Sequence, residues 1–209
     1  MRLFDDIVRT EGRPRWEAEP SYIYYNTSAR PGIAAIRDLL EEWFDRFPAA
    51  SQADLCGRFR SPDEAHHEGA FFELYIHELA CKMGFELRDH PDIPGSTNHP
   101  DFLAVRGNQP LFFLEATIAA SSATQVAAEK RQAEVYDCLN RMVSPNFFLL
   151  IEVEGAPATP PPAAKLRRDL ERWLAAVMDH LHGRSWRDAE GSLRSWLERS
   201  LLPQTTLHQ

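Results

Sequence analysis

Residues 98–117, NHPDFLAVRGNQPLFFLEAT, constrain this chain more than any other stretch. Two short apolar runs, 102–105 and 111–114, flank the turn signal Arg106-Gly107-Asn108-Gln109-Pro110, a pattern that predicts a β-hairpin. If the turn centres on Asn108, Asp101 lies directly opposite Glu115, and opposed residues share a face with Cβ atoms about 4.5–5.5 Å apart. A centre half a residue away puts the two on opposite faces, so register decides whether the carboxylates meet. Thr117 follows Glu115 on the same face. Leu103, Val105, Leu111 and Phe113 fall on one face, and Phe102, Ala104, Phe112 and Leu114 on the other. Both faces read apolar, which predicts helices covering the sheet on each side.

Two carboxylates at about 4 Å repel by ~1 kcal/mol in water and ~4 kcal/mol at an effective dielectric of about 20. Such a pair at the rim of an apolar sheet calls for a cation. A hard divalent ion such as Mg²⁺ takes one or two carboxylates and completes its shell with water and phosphate oxygens. The plainer alternative is that Asp101 merely opens a strand after Pro100 while Glu115 pairs with an arginine or lysine.

With 209 residues and 44% hydrophobic content, the chain can bury a substantial core, predicted as one domain with an N-terminal elaboration. No apolar run reaches the roughly eighteen residues a membrane span needs, and residues 1–10 carry no apolar signal region. Cys56, Cys81 and Cys138 are an odd, scattered set that matches neither a disulfide framework nor a zinc spacing, so a cytoplasmic location is expected. The net charge of −8 argues against broad electrostatic binding to nucleic acid. It leaves room for a local basic groove or a metal-bridged phosphate contact.

Residues 1–60 read as an N-terminal arm and helices packed on the core. The aromatic patch Tyr22-Ile23-Tyr24-Tyr25 belongs to the arm, with a strand as one option. Pro31 opens a helix to about Phe47, with Ile33, Ile36, Leu39, Leu40, Trp43 and Phe47 on its stripe. A short helix near 52–59 ends in Arg58 and Arg60, a pair that either touches phosphate or ends a solvated helix. Ser61, Pro62 and Glu64 form a capping box for a helix to about Met83, ended by Gly84. Phe72, Ile76, Leu79 and Met83 are expected to face its core, Glu73, His77 and Ala80 the adjacent stripe, and His66 and His67 solvent.

A strand at 85–89 and a loop flanked by His90 and His99 precede the hairpin. Ser121 and Ser122 then cap a helix to about Met142, with Val126, Ala133, Tyr136 and Leu139 buried. Residues 146–153, NFFLLIEV, read as a central strand. A proline-rich linker at 156–162, an amphipathic helix at 165–181 and a last helix near 193–201, after Trp186, complete the chain.

The order helix, three strands, helix, strand, helix, with Pro100-Asp101 opening one strand and Glu115-Ala116-Thr117 closing the next, resembles the PD-(D/E)XK nuclease superfamily. The resemblance covers roughly residues 63–181. It implies an α/β restriction-endonuclease-like αβββαβ core at 61–182, a central mixed sheet flanked by helices, and a C-terminal helix and tail at 183–209. It implies that Asp101 and Glu115, with the backbone carbonyl of Ala116, hold Mg²⁺ or Mn²⁺. Glu73 matches a position where many members carry a further acid. Thr117 stands where the family has lysine, a group that positions water and steadies phosphate charge. Some members recruit a replacement from the following helix, where Lys130 is the only lysine and Gln132 pairs with Tyr136 in a QxxxY pattern.

The expected activity is therefore Mg²⁺-dependent, endonuclease-like hydrolysis of DNA or RNA, with DNA ahead of RNA and no membrane partner. The alternative is a catalytically degenerate nuclease-fold module that binds nucleic acid or protein. A weaker third reading gathers His66, His67, His77, Glu73, His90 and His99 as a metal-hydrolase cluster, but no compact motif such as HExxH supports it. A stand-alone chain, a homodimer and a part of a larger protein all remain open.

Overall fold

The computed structural model describes residues 1–93, 95, 99–119, 121–143, 149–150, 159 and 162–181, with the side chains of 179–181 left aside. The chain forms two compact units, Met1–Ser121 and Ser122–Gln209. The first holds helices α1 (Ser21–Thr27), α2 (Pro31–Asp45), α3 (Gln52–Phe59) and α4 (Glu64–Lys82), with strands β1 (Glu86–Asp89), β2 (Phe102–Arg106) and β3 (Gln109–Leu114). The second holds α5 (Ala123–Asn140) and α6 (Ala163–Leu181). The architecture is thus mixed α/β. The described strands form one antiparallel sheet, ordered β1-β2-β3, and the strand expected at 146–153 lies outside the described residues, except for Leu149 and Leu150, which have no regular structure.

The YIYY patch is helical rather than a strand: α1 follows Pro20 and buries Tyr22 and Tyr24. Helix α2 starts at Pro31, whose missing N–H costs nothing at that position, and stops before Pro48. Its buried stripe is Arg37, Leu40 and Phe44, with Phe47 buried just past its end, while Ile36 and Leu39 are exposed. The face is turned from the expected one because Arg37 Nη1 donates to the carbonyls of Tyr25 (2.7 Å) and Ser28 (2.9 Å). Those bonds satisfy the end of α1, and a buried guanidinium needs such partners.

Helix α4 is capped by Asp63, two residues after the expected Ser61: its carboxylate accepts from the backbone of Ala65 (3.0 Å) and His66 (3.3 Å). Asp63→Ala is expected to cost about 1 kcal/mol of stability, measurable by denaturant unfolding. Gly84, at φ +83°, turns the chain off the helix end in the left-handed region that glycine adopts freely.

The core side of α4 also differs from expectation. Ala70, Glu73, Leu74, His77, Glu78 and Ala80 are buried, whereas Leu79 and Met83 are exposed. The polar stripe goes inward because neighbouring elements satisfy it. Arg58 from α3 pairs with Glu73, and Arg46, just after α2, pairs with Glu78, each at 2.7 Å. The rings of Phe47 and Phe102 lie against His77, with centroids 5.0 and 5.5 Å away. His67, expected in solvent, is buried among Tyr22, Tyr25 and Phe59. Its Nδ1 lies on the Phe59 carbonyl, which requires a proton on that nitrogen.

Leu3, Phe4, Leu40, Phe44, Leu55, Phe59, Leu74 and Phe102 join in one apolar cluster. The N-terminal segment is thus part of the same core as α4 and β2. Along β3, Leu111, Phe112 and Phe113 are exposed, so among the described residues of the first unit this strand lacks the cover expected on both faces.

In the second unit Ser122 caps α5, its Oγ accepting from the Gln125 backbone at 3.2 Å. Val135 and Leu139 pack with Leu170 and Leu174 of α6. Leu139 is buried as expected, but Val126 is exposed and Ala133 and Tyr136 are half-buried. The linker at 156–162, apart from 159 and 162, and the last helix beyond 181 lie outside the described residues.

Candidate functional site

The hairpin determines how Asp101 and Glu115 are placed, and it does so by a route the sequence pattern does not display. The turn consists of Gly107 (φ +55°) and Asn108 (φ +67°), two left-handed residues whose twist suits a tight antiparallel connection. Its centre therefore falls between Gly107 and Asn108: Arg106 pairs with Gln109 and Val105 with Pro110. Continued unbroken, that register would set Asp101 opposite Leu114. The pairing shifts between Ala104 and Val105 instead, so that Ala104 faces Phe112, Leu103 faces Phe113 and Phe102 faces Leu114. Leu111 is the extra residue of this β-bulge. Carried one step past Phe102 and Leu114, the last pair of the ladder, the shifted register would put Asp101 opposite Glu115.

Backbone and side-chain bonds hold this end of the sheet. The Ala116 N–H donates to Asp101 Oδ2 at 2.7 Å. The His90 N–H donates to the Asp101 carbonyl at 3.0 Å, extending the β1–β2 pairing beyond Asp89 and Phe102. His90 and Asp101 therefore extend the β1–β2 pairing by one row, and the segment just after β3 is tied to the same end through Ala116. His90 takes φ +39°, a left-handed backbone uncommon outside glycine but one that histidine adopts more often than most residues. Beside it, Ser51 Oγ is hydrogen-bonded to the Asp89 carboxylate, and His90 Nε2 lies 3.7 Å from the other Asp89 oxygen.

Helix α4 brings Glu73 to this end. His77, one turn further along α4, packs on Phe102, the neighbour of Asp101. Glu73 is only 5% exposed, and Arg58 Nη2 donates to its Oε2 at 2.7 Å. Arg58 Nε donates to Asp54 at 2.8 Å. Burial pushes the Glu73 carboxyl above the ordinary carboxylate range, and the Asp101 charge adds to the push; Arg58 and His90 oppose it without cancelling it. The same ion pair holds the Arg58 guanidinium in its charged form.

This shift has a sign that unfolding measurements can read. Between the ordinary glutamate value and its own raised value, Glu73 is protonated in the native chain and ionised in the unfolded one. The native state then binds more protons, so its stability falls as pH rises through that window. Glu73→Gln is expected to flatten this part of the stability–pH curve; an unchanged slope would assign the dependence to other groups.

The donor chemistry of this sheet end suits a hard divalent cation. Asp101 and Glu115 offer oxygens, Glu115 is exposed, and a two-carboxylate set leaves positions for water and phosphate. Glu73 does not join them as it stands, because its carboxylate is held by Arg58. Among the described residues no three His, Cys, Asp or Glu side chains form a metal-ligand group, so the histidine-rich cluster does not assemble there. Thr117 is exposed beyond the end of β3, where no regular strand continues. Lys130 is exposed and Gln132 half-buried on α5 of the second unit.

Two neighbours of the site take places that the sequence does not specify. For Arg58 the sequence offers phosphate contact or a solvated helix end; the structure pairs it with a buried acid, Glu73. The spacing of four between Asp54 and Arg58 was a visible signal, but the pairing with Glu73 needs α3 packed on α4. His90 was visible only as a loop histidine, and its place in the row follows from the β1–β2 register.

No helix among the described residues is long and apolar enough to cross a membrane. No family model, no curated protein and no solved structure matches the chain.

Proposed function

We propose that this chain is a metal-dependent nuclease of the PD-(D/E)XK type, hydrolysing phosphodiester bonds in DNA or RNA. The observation that supports the reading is the bulge-shifted register of β2 and β3, which carried one step past its last pair would bring Asp101 opposite Glu115, together with Glu73, whose carboxyl feels the Asp101 charge. Asp101, Glu115 and the Ala116 carbonyl would hold Mg²⁺ or Mn²⁺. When bound, such an ion lowers the pKa of a coordinated water and offsets charge on the scissile phosphate. The chain's own part is orientation: the Ala116 N–H fixes one Asp101 oxygen and leaves the other available, while the β1–β2 bond at His90 holds the strand end in place. Glu73 would contribute negative charge from behind, and could act as a ligand only by giving up Arg58.

Incubation of supercoiled DNA and of single-stranded RNA with Mg²⁺ or Mn²⁺ tests the reading. Cleavage is expected with the unaltered chain and lost in Asp101→Ala or Glu115→Ala chains that remain folded. Cleavage that survives both substitutions and EDTA rejects the site.

A second reading has its own support. Thr117 stands in place of the motif lysine and Arg58 engages Glu73, as in a nuclease fold kept for binding alone. Binding of nucleic acid without turnover under Mg²⁺, Mn²⁺ or Co²⁺ would select it.

A further inference from the structure

We propose that Arg58 supplies the positive charge that meets the phosphate backbone of a nucleic acid at this site, the task for which position 117 offers only a hydroxyl. The inference rests on the nuclease-fold reading above.

Charge is the first reason. Asp54, Glu73, Asp101 and Glu115 gather toward one end of the first unit, in a chain of net charge −8. A polyanion does not approach such an end unless a cation faces it. Arg58 is the guanidinium built into that end: its side chain is 34% exposed, while Glu73 beneath it is buried. Arg88, on β1 opposite Leu103, is the neighbouring cation of the sheet itself and serves as the control below, while two others are tied elsewhere. Arg60 is tied to Asp5 and to the carbonyls of Leu3 and Arg2. Arg106 sits at the hairpin tip, at the far end of β2, and its Nη2 donates to the Met83 carbonyl.

Geometry is the second reason. Nε binds Asp54 and Nη2 binds Glu73, which holds the guanidinium from two sides. Among the described residues Nη1 makes no hydrogen bond, and a guanidinium has five N–H donors in all. An arginine fixed in this way meets a phosphate with little further loss of side-chain freedom, and its planar fork suits two phosphate oxygens. Glu73 then acts as the positioning residue of Arg58, which explains why an acid is buried behind a metal-binding pair without joining it.

Salt dependence of binding tests the contact without requiring turnover. A short fluorescent DNA duplex, and one of its strands alone, are titrated in EDTA against full-length chains carrying Asp101→Asn. Two backgrounds are compared, one with Glu73→Gln and one with Glu73→Gln plus Arg58→Gln, so that neither leaves a buried charge unpaired. Circular dichroism and melting confirm the fold of each. Loss of one phosphate contact is expected to reduce the slope of log affinity against log salt by about 0.9 for the duplex or ~0.7 for the strand. Arg58→Lys should restore it. Arg88→Gln, two rows further into the sheet on β1, is the control and should leave the slope unchanged.

A slope unchanged by Arg58→Gln in folded chains overturns the proposal, as does binding that fails in every chain or a change that follows Arg88 instead. The nuclease reading is judged separately, by Mg²⁺- or Mn²⁺-dependent cleavage in the chain that retains Asp101. Cleavage without the Arg58 effect leaves that reading standing and removes Arg58 from it. The Arg58 effect without cleavage leaves a binding module that uses this arginine.

Discussion

Asp101→Asn is expected to reduce metal-dependent cleavage by about a thousandfold or more, with little loss of fold. The magnitude follows from the several kcal/mol that a bound divalent ion contributes to phosphoryl chemistry, at about 1.4 kcal/mol per decade. Asparagine is the informative replacement because its side-chain oxygen still accepts from the Ala116 N–H, a 2.7 Å bond in the native chain. The exchange thus removes the charge and leaves the local hydrogen bonding in place. Glu115→Gln should produce a comparable loss with still less structural effect, since Glu115 is exposed. Single-turnover cleavage and thermal melting, run on the same preparations, separate the two properties. Full activity in folded Asp101→Asn protein would remove the carboxylate pair from the chemistry.

Arg58→Ala is expected to destabilise the first unit by about 2–3 kcal/mol at neutral pH. Breaking a buried ion pair by removing one partner costs ~3–5 kcal/mol, discounted here because Arg58 itself is about one-third exposed. Most of the cost lies in Glu73, left ionised and 5% exposed with no guanidinium opposite. Its carboxyl already titrates above the ordinary range, through burial and then the Asp101 charge. Without Arg58 it will take up a proton more readily still. The destabilisation should therefore be largest at neutral pH and shrink on acidification, because the protonated acid no longer needs the partner. Arg58→Ala with Glu73→Gln should recover much of the loss, giving a large coupling in a double-mutant cycle. Additive effects would mean that the 2.7 Å contact carries little energy.

These two results bear on different layers of the protein. The first concerns a pair of acids placed by strand register, the second an acid buried by helix packing. A chain that loses cleavage in Asp101→Asn but tolerates Arg58→Ala would keep the pair and lose its support. The reverse would leave a well-built sheet end with another use.

By itself the sequence determined the local elements and their order. Pro31, Asp63, Gly84, Ser122 and the Gly107-Asn108 turn are punctuation whose physics acts within a few residues, and α2 to α5, β1 and the hairpin lie where that punctuation puts them. Which face of each helix turns inward was a matter for tertiary structure. An apolar stripe names the buried side only when no partner waits for a polar one, and Arg46 and Arg58 waited for Glu78 and Glu73, as the carbonyls of Tyr25 and Ser28 did for Arg37. The meeting of Asp101 and Glu115 was legible as a pair of alternatives separated by half a residue. The turn took the unfavourable centre, and the bulge at Leu111 moved Phe102, Leu103 and Ala104 into the register that, carried one step further, would favour the pair. A bulge answers to strand twist and packing across the sheet, so no count along the chain could have supplied it.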